Sequence, residues 1–327
     1  MSLSFTSESA ISRRDILKGV VLAGSATAFQ ASIASTFAKS SQLAIIDTHQ
    51  HLWDLTKQTL PWLEAGSKLN HSALPTDYRK AIEGLNVTRA IYMEVDVTPA
   101  QQVQEAETVL ELIRSRKTPT VAAVISGRPS SEAFSKYLAR FKDATEIKGV
   151  RQVLHSPKTP SGYCLDPAFI RGIQALGKAG LMFDLCMRAA ELRDGAKLID
   201  ACPDTSFILD HCGNADVRSK DLSDWRNDIA EVAKRSRVVC KVSGIVASTK
   251  GMPWTAEDLA LIVNHVLDTF GPDRTMFGGD WPVCTLGATY RQWVEALKTI
   301  VRNRPEEDQR KLFHDNAARV YRLEREG

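Results

Sequence analysis

Asp47, His49 and His51 stand at alternate positions in Ala44-Ile45-Ile46-Asp47-Thr48-His49-Gln50-His51-Leu52-Trp53, a run that opens apolar and β-branched. Side chains two residues apart on a β-strand share a face, so one carboxyl group and two imidazoles point the same way. Imidazoles so placed can bind a metal, move a proton or donate to a developing oxyanion. The plain alternative is a pair of core histidines satisfied by their neighbours, since polar groups are seldom buried unpaired. Further reactive side chains follow along the chain: Arg151 and His155, Asp184, Asp210 with His211, Lys241 with Ser243, and Asp280.

The elements that must position these groups alternate in type. Short apolar runs predict strands at 43–48, 90–95, 120–126, 147–154, 181–187, 206–210, 238–243 and 275–279. Longer helical patterns follow at 77–84, 99–116, 130–142, 167–178, 189–201, 222–236, 256–270 and 290–302. Strands separated by helices are βαβ units and imply a parallel sheet. Eight units in about 280 residues match a single-domain (β/α)8 barrel. An open doubly wound sheet would place a glycine-rich phosphate loop after its first strand, where this chain has His49 and His51. In a barrel the reactive groups belong at the C-terminal strand ends, and four of the seven histidines fall there. His71, His265 and His314 fall elsewhere and read as structural.

The composition is that of a globular protein: 327 residues, 43% hydrophobic, 25% charged. A formal charge of +3, with Lys and Arg scattered among Asp and Glu, offers no nucleic-acid surface. The first 38 residues read as an export signal rather than as part of the fold. Ser12-Arg13-Arg14-Asp15-Ile16-Leu17-Lys18 is a twin-arginine pattern, followed by a mildly apolar run from Gly19 to Phe29 and then by small-x-small cleavage sites. That run is short of the roughly 20 apolar residues of a membrane span, so no stable membrane anchor is expected. The expected domain is 39–327, the expected location the periplasm, and the expected partners the twin-arginine export machinery and a small-molecule substrate. The six cysteines match no metal or redox spacing and read as passive, Cys212 and Cys284 included.

Several segments together carry a family likeness. Asp47-Thr48-His49-Gln50-His51-Leu52-Trp53, Gly149-Val150-Arg151-Gln152, Leu209-Asp210-His211-Cys212-Gly213 and Met276-Phe277-Gly278-Gly279-Asp280-Trp281-Pro282-Val283 resemble the amidohydrolase-related barrel hydrolases, in the same order. Asn316-Ala317-Ala318-Arg319-Val320-Tyr321 is similar to that family's closing helix. The likeness is nearest the branch of sugar lactonases and 2-pyrone-4,6-dicarboxylate lactonases. It implies a zinc site of an HxH pair, a fifth-strand histidine and an eighth-strand aspartate. His49, His51 and Asp280 match three of those places, whereas Phe183-Asp184-Leu185-Cys186-Met187 holds no histidine. A required metal is therefore not expected, and one divalent ion, Zn2+, on His49, His51 and Asp280 is the alternative.

The function expected is hydrolysis of a lactone, either a sugar-acid lactone or a pyrone-type cyclic ester. Asp280 is the expected general base, with His49, His51 and His211 as donors to the carbonyl oxygen. Arg151, His155, Asp184, Trp53 and Trp281 are the expected substrate-binding residues, and the loops 56–75 and 156–166 are expected to read ring size and substituents. Arg151 could instead pair with Asp184 inside the barrel, Asp210 could cap a helix or orient an imidazole, and the two tryptophans could be packing. Rival readings are a zinc-dependent amidohydrolase or decarboxylase and a non-catalytic periplasmic sugar-acid binding protein.

Overall fold

The computed structural model describes residues 43–324; the export-signal reading at residues 1–38 lies outside them. Eight strands run β1 Ile45–Gln50, β2 Val87–Met93, β3 Thr120–Ser126, β4 Ile147–Val153, β5 Met182–Cys186, β6 Phe207–Leu209, β7 Val238–Val242 and β8 Thr275–Phe277. Each pairs in parallel with the next, in the order β1 to β8. Helices Pro75–Ala81, Gln102–Arg114, Phe134–Arg140, Pro167–Lys178, Leu192–Ala201, Ser223–Ala233, Ala256–Phe270 and Tyr290–Val301 separate and follow the strands. This is a nearly closed barrel with the (β/α)8 layout.

Local chemistry starts several helices where the sequence predicts. Asp166 accepts from the Ala168 amide at 2.7 Å with Pro167 in the first turn, and Thr255–Asp258 and Thr289–Gln292 form reciprocal capping boxes. The β6 and β8 strands end earlier than expected. The chain leaves the ladder at Asp210 for a left-handed turn, and at Gly278 to reach Asp280, whose φ is 54°. Inside the barrel, Ile91, Met93, Val124, Ile208, Met276 and Tyr321 pack together as an apolar plug, separate from the larger core between sheet and helices.

The seam between β8 and β1 is closed by the segment that carries Asp280. The Asp280 amide donates to the His49 carbonyl and the His51 amide to the Trp281 carbonyl, both at 2.8 Å. The carboxyl group of Asp47 clamps this seam. It accepts from the amides of His49 (2.9 Å) and Gly279 (2.7 Å) and from the hydroxyls of Tyr78 (2.8 Å) and Tyr290 (3.0 Å). Position 279 must be glycine, because a Cβ there would lie 2.2 Å from the Tyr290 ring and 2.6 Å from Asp47 Oδ2.

Removing the clamp leaves four buried donors without an acceptor. Asp47→Ala should therefore lower unfolding free energy by roughly 3 kcal/mol or more, with Asp47→Asn in between. Urea denaturation of the three proteins checks this; an Asp47→Ala midpoint equal to wild type would refute the clamp.

Candidate functional site

Reactive side chains collect at the C-terminal end of the barrel. His49 comes from β1, His51 from just beyond it, Arg151 from β4, Lys241 from β7, and Asp210, His211 and Asp280 from turns after β6 and β8. Asp280 Oδ1 lies 3.4 Å from His51 Nε2 and 3.8 Å from His49 Nε2. The His49 ring sits 4.9 Å from that of His51 and 4.4 Å from that of His211, centroid to centroid. His49, His51, His211 and Asp280 thus stand together at one end of the barrel.

Beneath them runs a chain of buried charges. Lys241 Nζ bridges Asp184 (2.5 Å) and Asp210 (3.2 Å), and Asp210 faces His49 Nδ1 at 3.5 Å. Arg151 donates to Glu94 twice, through Nε to Oε1 at 2.6 Å and through Nη2 to the backbone carbonyl at 2.8 Å. The alternative Arg151–Asp184 pair does not form, since each residue has another partner. Asp210 caps no helix with its side chain and serves instead to face His49 and Lys241. Glu94 was not singled out from the sequence, although an acid at the end of β2 matches the placement of the other groups.

Hydrogen bonds fix two imidazoles as acceptors. A carbonyl only accepts, so His51 Nδ1, 3.0 Å from Met93 O, carries the proton and Nε2 holds a lone pair. A guanidinium only donates, so His49 Nε2 accepts from Arg151 Nη1 at 3.2 Å, while Nδ1 faces both Lys241 Nζ at 3.4 Å and Asp210 at 3.5 Å. Burial keeps both imidazoles neutral. It holds His49 well below its ordinary range against Asp210, and with Arg151 pushes His51 down to about 3. The expected role of His49 and His51 as donors to a carbonyl oxygen is therefore corrected: the nitrogens that face Asp280 accept. His211 is different. Its Nδ1 meets Ser243 Oγ at 2.9 Å, and a serine proton given to Nδ1 leaves Nε2–H free to donate.

Three acceptor atoms, His49 Nε2, His51 Nε2 and Asp280 Oδ1, lie within 4.8 Å of one another. Lone pairs so gathered want a proton or a cation between them, and two imidazoles with a carboxylate are a donor set that zinc takes. The residues present fit such an ion. The fifth-strand histidine that the family likeness implies is absent, and Asp184 on that strand is paired with Lys241. Burial pushes Asp280 up to about 6, tempered by His211 and Arg151, and pushes Asp184 up to about 7 against the pull of Lys241.

The site opens into a cavity of about 380 Å³ whose lining includes His51, Arg151, His155, His211 and Asp280. His49 and Asp184 lie below it. Trp53 and Trp281, expected as walls, point elsewhere: Trp53 Nε1 donates to His71 O at 2.5 Å, and Trp281 packs edge-on to Tyr78. Trp62, from the expected 56–75 loop, lines the cavity instead, with Asp96 and Asn214. The turn bearing His211 is left-handed at His211, Cys212, Gly213 and Asn214, with φ between 52° and 67°. Gly244 leaves room for it, since a Cβ there would lie 2.3 Å from His211 Nδ1. All six cysteines are free and buried.

Comparison with known proteins agrees with this layout. Residues 46–323 match the family described as amidohydrolase. The chain belongs to the amidohydrolase family. An L-fucono-1,5-lactonase of Burkholderia multivorans is 29% identical over 292 residues, covering 85% of this chain and 96% of that protein. An L-rhamnono-gamma-lactonase of Scheffersomyces stipitis is 22% identical, covering 86% of this chain and 100% of that one. A crystal structure of an amidohydrolase from Burkholderia multivorans with bound zinc superposes with a TM-score of 0.78 at 26% identity, covering 86% of this chain and 100% of that one. Like other members of its family, the protein is a hydrolase, which sets aside the non-catalytic binding reading.

The charge chain continues outward to Glu105, which accepts from Tyr92 OH (2.9 Å) and the Val95 amide (2.8 Å). Burial and then the charge of Glu94 push it from 4.5 up to about 8. The folded state thus holds a proton that the unfolded chain releases, so stability from this group is full at low pH and falls as pH rises toward about 8. Glu105→Gln should flatten stability between about pH 5 and pH 8, as read by urea midpoints. An unchanged slope would show that Glu105 is not the group responsible.

Proposed function

We propose that the protein opens the ring of a lactone by Asp280-assisted attack of water, with sugar-acid lactones and pyrone-type cyclic esters as the candidate substrates. The observation that carries this reading is Asp280 on the cavity wall beside Arg151 and His211, a base next to two groups able to donate. The two relatives named as lactonases support it from sequence. In this scheme the lactone carbonyl oxygen faces Arg151 Nη1 and His211 Nε2–H, and the negative charge growing on it is met by these donors. Asp280 takes a proton from water as the water oxygen bonds to the carbonyl carbon. The same proton passes to the ring oxygen as the acyl C–O bond breaks, giving the hydroxy acid.

The seam bond from the Asp280 amide to the His49 carbonyl holds Asp280 in place, and Asp210 and Lys241 flank His49 Nδ1 beneath it. A divalent ion bound by His49, His51 and Asp280 would supply a Lewis acid at this point. The reaction is proposed to proceed without it, because Arg151 already occupies the His49 lone pair and Asp184 is withheld by Lys241. The zinc-dependent hydrolase or decarboxylase is the second reading, favoured by the three converging acceptors. The twin-arginine pattern at Arg13-Arg14 completes the proposal with export, placing the mature enzyme in the periplasm.

A turnover screen of sugar lactones and pyrone carboxylates tests the reading. Asp280→Asn should lower kcat by about 10²–10⁴-fold while sparing substrate binding. Because only ionised Asp280 accepts the proton, kcat/KM should rise with pH through a limb near the value of about 6 that burial gives it. Turnover that survives both Asp280→Asn and acid pH would remove Asp280 as the base. Dialysis against a strong chelator should leave turnover in place; loss restored by added zinc would establish the second reading instead.

A further inference from the structure

Three arginines around the cavity have acidic partners. Arg151 is paired with Glu94 at 2.6 Å, Arg128 with Asp96 at 2.7 Å, and Arg188 with Glu191 at 2.9 Å. Among the described lining residues Arg151 is the one fixed cation, and its Nε and Nη2 are given to Glu94.

Two side chains of the lining, Asp96 and Asn214, keep an acceptor oxygen beside the donors of Arg151 and His211. Asp96 uses Oδ1 for Arg128, which leaves Oδ2. Asn214 donates Nδ2 to Met187 O at 2.7 Å, an orientation that turns Oδ1 the other way. Asp280 adds a carboxyl group. Such a rim suits a ligand rich in hydroxyl donors and repels one that carries carboxylates.

One flat apolar surface stands among these acceptors. Trp62 is 37% exposed, and its only polar atom is already used, Nε1 donating to Val95 O at 2.7 Å. The indole also packs edge-on to Trp53, with ring centroids 5.7 Å apart, so its position is held from two sides. An anchored indole with its N–H satisfied offers a ring face and little else, which is the surface that the C–H side of a sugar ring covers.

We propose that Trp62 is the specificity-determining residue of this cavity, a platform for a neutral polyhydroxylated ring, and that the acceptor rim discriminates against ring substrates bearing carboxylates. This rests on the lactonase reading and narrows it to uncharged sugar lactones. Two substituents are recognised separately: the apolar ring face by Trp62, and the hydroxyls by Asp96 and Asn214.

The test compares wild type, Trp62→Ala and Trp62→Phe on a neutral aldonolactone and on a pyrone dicarboxylate, with calorimetric binding of a non-hydrolysable sugar lactam alongside. Trp62→Ala should raise KM for the neutral lactone on the order of tenfold with kcat changed little, and Trp62→Phe should recover most of it. Lactam affinity should fall by the same factor, and thermal melts confirm that the half-exposed site tolerates the change. Unaltered KM and lactam affinity in Trp62→Ala, or wild-type preference for the dicarboxylate, would overturn the proposal. If wild type opens no lactone yet binds the lactam through Trp62, the platform stands and the lactonase reading falls.

Discussion

Neutralising carboxyl groups inside a barrel with too few cations is the constraint that shapes this site. Glu94, Asp184, Asp210 and Asp280 are buried together, and among the described residues only Arg151 and Lys241 share their space. Isolated charges in such surroundings are expensive, so each cation must serve two acids. Lys241 spans Asp184 and Asp210, and Arg151 spans Glu94 and Asp210. His49 is wedged where these two cations meet. The proton that burial draws toward Asp184 and the raised affinity of Asp280 for its own follow from the same shortage.

The backbone carries a related cost. His211, Cys212, Asn214 and Asp280 all adopt left-handed conformations that non-glycine residues rarely take. Such strain persists where the surroundings over-determine it. Here the Asp47 clamp and the seam bonds hold Asp280, while Ser243 and the space above Gly244 hold His211. The rigid part of the protein thus spends its hydrogen bonds on two turns, and the cavity above them is built from loops.

Strand order and the gathering of His49, His51, His211 and Asp280 were legible because both depend on periodicity and on position along the chain. Apolar β-branched runs announced β3 and β4 almost to the residue, and reactive types recurred where those runs ended. Pairing was not legible. Asp184 and Arg151 stand side by side on β4 and β5, yet their charges turn to Lys241 and Glu94, a choice made by side-chain direction across the barrel. The tautomers that make His49 and His51 acceptors depend on Met93 O and Arg151, contacts with residues 42 and 102 positions away. The choice of Trp62 over Trp53 is decided inside one irregular loop, where no repeat indicates which indole reaches the cavity.

The seam has a consequence for how this molecule fails. The bonds that join the last strand to the first run through the backbones of His49, His51, Asp280 and Trp281. A molecule that begins to unzip along that line therefore dismantles its chemistry before it loses most of its helices.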